Sequence, residues 1–180
     1  MKLSESVERF DDWADIQLEL IRGNPLADAV FTTASKLGEF SLVWHLTNVA
    51  RGATGVGTGT QIPVFAVLVG AESLLVNQGI KRLFRRTRPT EGGDERFPVR
   101  RPTTSSFPSG HASSAAFAAT VLTGWDGPRL APLWWTMATT VAVSRAYVRI
   151  HHGSDVVAGL ATGAALGLVA RRVLRHLDLT

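Results

Sequence analysis

From about Ser4 to Arg22, apolar residues recur three and four positions apart, with Val7, Phe10, Ala14, Leu18 and Ile21 on one face. That spacing predicts an amphipathic helix, which Gly23-Asn24-Pro25 should end. Two short apolar helices are expected next, near Leu26–Leu37 and Phe40–Ala50, split at Gly38. A Gly/Thr-rich connector from Arg51 to Thr60 leads into the strongest apolar run, Ile62 to about Ile80. Helical patterns resume at Gly110–Thr123, Leu130–Val148 and Ser154–His176, broken by Gly127-Pro128 and His152-Gly153. Between the two halves lies a stretch of roughly twenty residues with four prolines (Pro89, Pro98, Pro102, Pro108), a loop long enough to be functional. Strand signals are few and no repeat is evident, so the fold class is all-α.

Four stretches carry no Lys, Arg, Asp or Glu: Gly52–Ala71, Pro102–Trp125, Leu130–Ser144 and Val156–Ala170. A membrane span needs roughly 20 mostly apolar residues. The first two are diluted by Gly, Ser and Thr, and the last two are short, with Arg129, Arg145, Arg149, Arg171 and Arg172 at their ends as candidates to snorkel. A mean hydropathy of +0.11 leaves a membrane bundle and a Gly/Ala-rich soluble bundle both open. Glu5, Glu8, Asp11 and Asp12 stand where a secretory signal would need a basic end and an apolar run, so the expectation is a chain with no cleaved leader. Trp125, Trp134 and Trp135 flank a helix break as interfacial aromatics do, although a soluble core would hold tryptophans too.

The absence of cysteine excludes disulfide scaffolds, Cys-ligated zinc and thiol nucleophiles. Charge is concentrated. Lys81 to Arg101 holds eight basic residues against three acidic ones (Glu91, Asp94, Glu95), and the rest of the chain holds eleven against twelve. The protein is basic in one place, which does not suit a nucleic-acid partner whose phosphates need a long basic surface. Glu72, midway along the strongest apolar run, should face the bundle interior and be held by a hydrogen bond.

Three clusters stand at predicted helix ends: Lys81-x6-Arg88-Pro89, Pro108-Ser109-Gly110-His111, and Ser144-Arg145-x5-His151-x3-Asp155. Taken one at a time, each has an ordinary reading: a juxtamembrane basic patch, a helix cap at Ser109, an i,i+4 pair of His151 and Asp155 on a helix surface. If successive helices alternate in direction, all three meet at one end of the bundle. Lys81, Arg88 and Arg145 would then surround one point with two histidines and a carboxylate beside them. Guanidinium forks and a helix N-terminus together suit a phosphate group.

In order and spacing, the three clusters resemble the tripartite signature of the type-2 phosphatidic acid phosphatase superfamily, which also contains bacterial acid phosphatases and vanadium haloperoxidases. All specified positions match, over Lys81 to Asp155; the first sixty residues match nothing diagnostic. The resemblance implies a single phosphatase domain over residues 1–180, with an N-terminal amphipathic helix (1–22), a helical core (26–176) and a polar loop (90–107) near the site. It implies a membrane-embedded bundle of five to six apolar helices in a bacterial plasma membrane.

The resemblance also implies roles. His151 would be the nucleophile, oriented by Asp155, and His111 the acid and base. Lys81, Arg88, Ser109, Gly110 and Arg145 would bind the phosphoryl oxygens. Ser144, Pro89 and Pro108 would shape the site. No metal or other cofactor would be needed. The partners implied are a lipid phosphate substrate and membrane lipids. An Arg-for-Lys bias (16 of 19 basic residues) suggests a GC-rich bacterium, hence a polyprenyl-linked phosphate such as an undecaprenyl or decaprenyl substrate, including decaprenyl-phosphoribose phosphate. Phosphatidic acid or phosphatidylglycerophosphate is the alternative, and vanadate-dependent halide oxidation the alternative of another class. Arg171, Arg172 and Arg175, expected opposite the site, would lie in the cytoplasm and place the site on the outer face. Arg82, Arg85 and Arg86 are expected to touch headgroups at the rim, and His152 to be peripheral.

Overall fold

The computed structural model describes residues 3–90 and 94–179, with nothing described of Glu91, Gly92 and Gly93 within the polar loop. Among these residues are seven α-helices and no strand. They are α1 (Leu3–Glu19), α2 (Pro25–Leu37), α3 (Leu42–Ala53), α4 (Gln61–Leu74), α5 (Gly110–Asp126), α6 (Ala131–Tyr147) and α7 (Gly153–His176). Local chemistry sets several of the boundaries. Asn24 caps α2, its Oδ1 accepting from Leu26 N at 3.0 Å, and Pro25 fits the first turn, where no intrahelical N–H is needed. Beyond Leu74 the α4 rod does not stop: it loosens into a π turn (Leu75–Gly79), then tightens into a 3-10 turn (Ile80–Leu83). Departures of this kind often mark a functional site, and this one delivers Lys81.

Helix α5 is the centre of the bundle. Every residue from Ala112 to Leu122 is buried, so the helix has no solvent face for a periodic pattern to reveal. Its Ala- and Ser-rich surface lets neighbours approach closely, α7 most of all. The two run parallel, with Gly159 against Ser109, Gly163 against Ser113 and Gly167 against Phe117 and Thr120. A Cβ at Gly163 would fall 1.9 Å from the Ser113 carbonyl oxygen, so only glycine permits this backbone contact. Small residues every fourth position are the membrane-bundle solution to helix packing, where apolar burial alone supplies little drive. Outward-facing positions are apolar as well: Val67, Leu74, Leu133, Val157, Leu168, Val169 and Val173 are exposed. Two rods, Gln61–Leu83 and Gly153–His176, are long and apolar enough to cross a bilayer.

Helix α1 differs from the sequence expectation in its facing. Ala14 and Leu18 turn inward as the apolar spacing predicts, but Phe10 and Ile21 are exposed, together with Trp13, Ile16 and Leu20. The inward stripe is largely acidic. Asp15 pairs with Arg22 and Arg149, and Glu19 with Arg22, Arg96 and Arg149, so ion pairs rather than apolar burial dock this helix. Arg149 therefore does not snorkel. Trp134 is 5% exposed within the main core rather than at an interface, because α6 turns that face to α5. Glu72 is held as the sequence suggests, accepting from the Ser113 and Ser114 hydroxyls at 2.5 and 2.6 Å.

Candidate active site

Parallel α5 and α7 begin at the same end of the bundle, where α4 and antiparallel α6 finish. All eight candidate residues gather there. Ser109 caps α5, its Oγ facing Ala112 N at 3.4 Å, while its own N–H donates to the Asp155 carbonyl at 3.0 Å and ties the starts of α5 and α7 together. Lys81 reaches the site from the tight last turn of the α4 rod and is buried. The Arg88 guanidinium is fixed by loop and backbone carbonyls: Nε donates to Pro102, Nη2 to Thr104 and Nη1 to Ile150, at 3.1, 3.1 and 2.6 Å.

Arg145 is fully buried at the end of α6. Its Nη1 donates to the Ser35 carbonyl at 3.1 Å and to Ser35 Oγ at 2.5 Å, but Nε and Nη2 have no partner within the protein. His111 Nε2 and His151 Nδ1 are buried without hydrogen-bond partners as well. Lys81, Gly110, His111 and His151 line one cavity of about 390 Å³, and it adjoins a more open one of about 790 Å³ lined by Lys81, Arg82, Arg85, Arg86, Arg88 and Phe84. A buried cationic cluster with orphan donors is costly unless an anion completes it.

His151 and Asp155 are four residues apart, yet they are not an i,i+4 pair on one helix. His151 lies in the turn before α7, His152 is the extended N-cap, and Asp155 closes a capping box by accepting from His152 N at 2.8 Å. The turn lets His151 Nδ1 face Asp155 Oδ2 at 3.6 Å while Nε2 lies 3.2 Å from Arg88 Nη1. Arg88 can only donate, so Nε2 presents its lone pair and the proton sits on Nδ1. Burial is the main force lowering the His151 pKa, to about 3, with Arg88, Arg145 and Lys81 acting in the same direction and Asp155 against them. The ring is neutral at physiological pH. Desolvation also lowers the Arg88 pKa, and Asp155 partly restores it.

Two features at the site go beyond the signature. Arg86, expected at the rim, reaches inward: Nη1 donates to Asp155 Oδ1 at 2.6 Å and Nη2 to Asp11 Oδ2. Ser106 donates its hydroxyl to Asp155 Oδ2. Neither residue has a sequence signal to distinguish it from other loop residues. The loop is also less purely polar than its composition suggests, since Phe97 is buried against Tyr147 with ring centroids 5.4 Å apart. His152 is peripheral, with its ring Nε2 3.3 Å from the Thr87 carbonyl.

Residues 62–177 match the PAP2 superfamily, a stretch containing all eight candidate residues. The chain belongs to that superfamily. Similar PAP2 proteins include the decaprenylphosphoryl-5-phosphoribose phosphatase of Mycobacterium tuberculosis, 37% identical over 94 residues, 52% of this chain and 51% of the relative. The protein of that name from Mycolicibacterium smegmatis is 34% identical over 131 residues, 69% of this chain and 67% of the relative. The chain thus spans about half the length of the M. tuberculosis relative it matches. Among solved PAP2 structures, the transmembrane phosphatidylglycerolphosphate phosphatase of Bacillus subtilis superposes with a TM-score of 0.73 at 24% identity, covering 95% of this chain and 87% of that one. Aquifex aeolicus LpxE gives 0.67 at 24% identity, covering 87% and 93%. These likenesses show the fold, an all-α bundle.

Proposed function

We propose that the protein is a phosphohydrolase that removes phosphate from a membrane lipid phosphate or diphosphate through a phosphohistidine, and that its substrate is polyprenyl-linked. One observation carries the reading. Buried Arg145 keeps two unpaired donors beside Arg88 and Lys81, next to a histidine whose Nε2 lone pair faces the same cluster.

His151 Nε2 attacks phosphorus while the P–O bond to the lipid breaks. Asp155 takes up the partial positive charge on the ring by accepting from Nδ1–H, a contact that shortens as the ring becomes cationic. His111, which takes up a proton once the anionic phosphate is bound, gives it to the leaving lipid oxygen and then takes one from the water that cleaves the P–N bond. Lys81, Arg88, Arg145, Ser109 and the Gly110 N–H hold the three phosphoryl oxygens, whose charge grows in the transition state. This chemistry asks for no metal.

The similarity to the two mycobacterial phosphatases supports a polyprenyl substrate. The apolar outer faces of α4, α6 and α7 support delivery from a bilayer. Arg171 packs beside Gly124, at the end of the bundle away from His151; with Arg172 and Arg175 it supports a cytoplasmic tail and an outward-facing site in a bacterial plasma membrane.

The test is phosphate release in detergent from isoprenoid, glycerolipid and soluble phosphates, with and without EDTA and vanadate. Release from polyprenyl phosphates that resists EDTA, is blocked by vanadate and disappears in His151→Ala is the expected outcome. Activity retained by His151→Ala would overturn the mechanism, and a preference for glycerolipids the substrate.

A further inference from the structure

Asp155 is not positioned by the signature residues alone. Its Oδ1 is held by Arg86, whose Nη1 also donates to Ser154 Oγ at 2.7 Å, and the other end of that guanidinium is clamped by Asp11 of α1. Asp11 Oδ1 in turn accepts from Ser154 N at 2.7 Å, and its Oδ2 from Ser154 Oγ at 3.0 Å. Asp11 is 7% exposed, Asp155 is fully buried, and the Arg86 side chain is about one quarter exposed. A chain of alternating charge thus runs from α1 through the loop to the catalytic carboxylate. Asp11 lies outside the residues that match the superfamily.

Oδ2 of Asp155 is shared by Ser106 Oγ, His152 N and, at 3.6 Å, His151 Nδ1. With Oδ1 pinned by Arg86, the carboxylate plane cannot rotate, and Oδ2 stays facing the imidazole. Without that pin, the carboxylate plane can tilt about its Cβ–Cγ bond and carry the facing oxygen away from Nδ1, which weakens the preference of His151 for the Nδ1–H tautomer. Arg86 bridges two carboxylates from two separate guanidinium nitrogens, a wider and more fixed span than the single nitrogen of an ammonium covers.

We infer that Asp11 and Arg86 are positioning residues for the reaction: α1 holds Arg86 through Asp11, and Arg86 holds Asp155 in the orientation that keeps the His151 proton on Nδ1. The inference rests on the phosphatase reading above. Both Nη atoms of Arg86 are taken up by Asp155 and Asp11.

Asp11→Asn is nearly isosteric and keeps an oxygen for Ser154 N while removing the charge from Arg86. With farnesyl phosphate in detergent micelles, kcat should fall by about tenfold or more with KM within about twofold, since misplacement by an ångström can cost a hundredfold. Arg86→Lys should show the same split. In an Asp155→Asn background, Asp11→Asn should add less than about twofold, whereas a helix that merely stabilises the fold would give multiplicative losses. An unchanged kcat, or losses that multiply, would overturn the inference. A second readout needs no turnover: the ring 15N shifts of His151, assigned by their loss in His151→Asn. They should report the Nδ1–H tautomer in the wild type and a mixture in Asp11→Asn. Identical shifts in both proteins would overturn the inference even if no lipid phosphate proves to be a substrate, and inactivity of the wild type alone would overturn only the phosphatase reading.

Discussion

Each end of the bundle buries an arginine. Arg51, at the end of α3, is saturated. It pairs with Asp126 at the end of α5, donates to Asn48 Oδ1 at 2.8 Å, reaches Gln61 Oε1 at 3.3 Å and lies 5.5 Å from the centroid of Trp125. Arg145, at the opposite end, has one serine and two nitrogens without partners. Hydropathy does not separate them, since each is a single arginine near the end of an apolar helix, and in the sequence only the spacing from Arg145 to His151 and Asp155 does. In the structure their partners do. A guanidinium that pairs with a carboxylate inside the protein completes the structure, whereas one with unpartnered nitrogens and no ion pair, close to other cations, is complementary to something that arrives.

Three substitutions at the cationic end should have the largest effects. His151→Ala should abolish phosphate release, with kcat falling by at least about a thousandfold, because the covalent route is gone. Arg145→Met should cost about a hundred- to a thousandfold in kcat, the range for one transition-state donor, while the apparent melting temperature holds or rises because an unpaired charge leaves the interior. A large fall in melting temperature would make Arg145 a structural residue like Arg51 and erase the contrast. His111→Asn should reduce kcat by about a hundredfold or more, least for substrates with good leaving groups, which need no proton.

At the paired end the expectation reverses. Asp126→Asn leaves Arg51 buried without its counter-ion and should destabilise the protein by about 3 kcal/mol, read as a lower melting temperature in detergent. The remaining folded enzyme should keep its kcat/KM. A catalytic defect exceeding the folding defect would show the two ends to be coupled.

Protonation gives a subtler contrast, with His151 as the probe. Its folded pKa, near 3, lies below the usual histidine value of about 6.5, so the neutral ring is favoured in the folded state. The stabilising contribution is complete above about pH 6.5. It declines as the pH falls, because the unfolded chain takes up the proton first, and is lost by about pH 3. His151→Asn should therefore lose less melting temperature than the wild type between pH 7.5 and 4.5, and equal losses would show that folding does not lower the pKa of this ring.

The sequence is informative about these regions to different degrees, for physical reasons. Helix positions and the convergence of Lys81, Ser109 and His151 follow from apolar spacing, breakers and alternating direction, all of which are local or additive. Cap chemistry is legible too, as at Asn24 and Ser109. The Arg86–Asp11 clamp is not, because it joins residues 75 positions apart and depends on α1 turning its acids inward. Residue spacing alone gave that helix an apolar inner face, of which Ala14 and Leu18 are the part that packs. The Arg51–Asp126 pair is equally long-range, and the charges that mark it stand among others of the same kind at helix ends.

The sharpest version of the comparison has the smallest expected effect. Replacing both members of the Arg51–Asp126 pair, as Arg51→Met with Asp126→Leu, removes two buried charges together. Neither is left uncompensated, and apolar side chains of similar volume fill the space. Such replacements of buried ion pairs are often neutral or stabilising, so the melting temperature should stay close to that of the wild type and well above that of Asp126→Asn. Phosphate release should be unchanged. A double replacement among Lys81, Arg88 and Arg145 should not behave this way, because Asp155 and Glu39 offset their charge only in part and no single partner can be removed along with them. A double variant at the Arg51 end that folds well but releases no phosphate would show that this pair, too, serves the reaction.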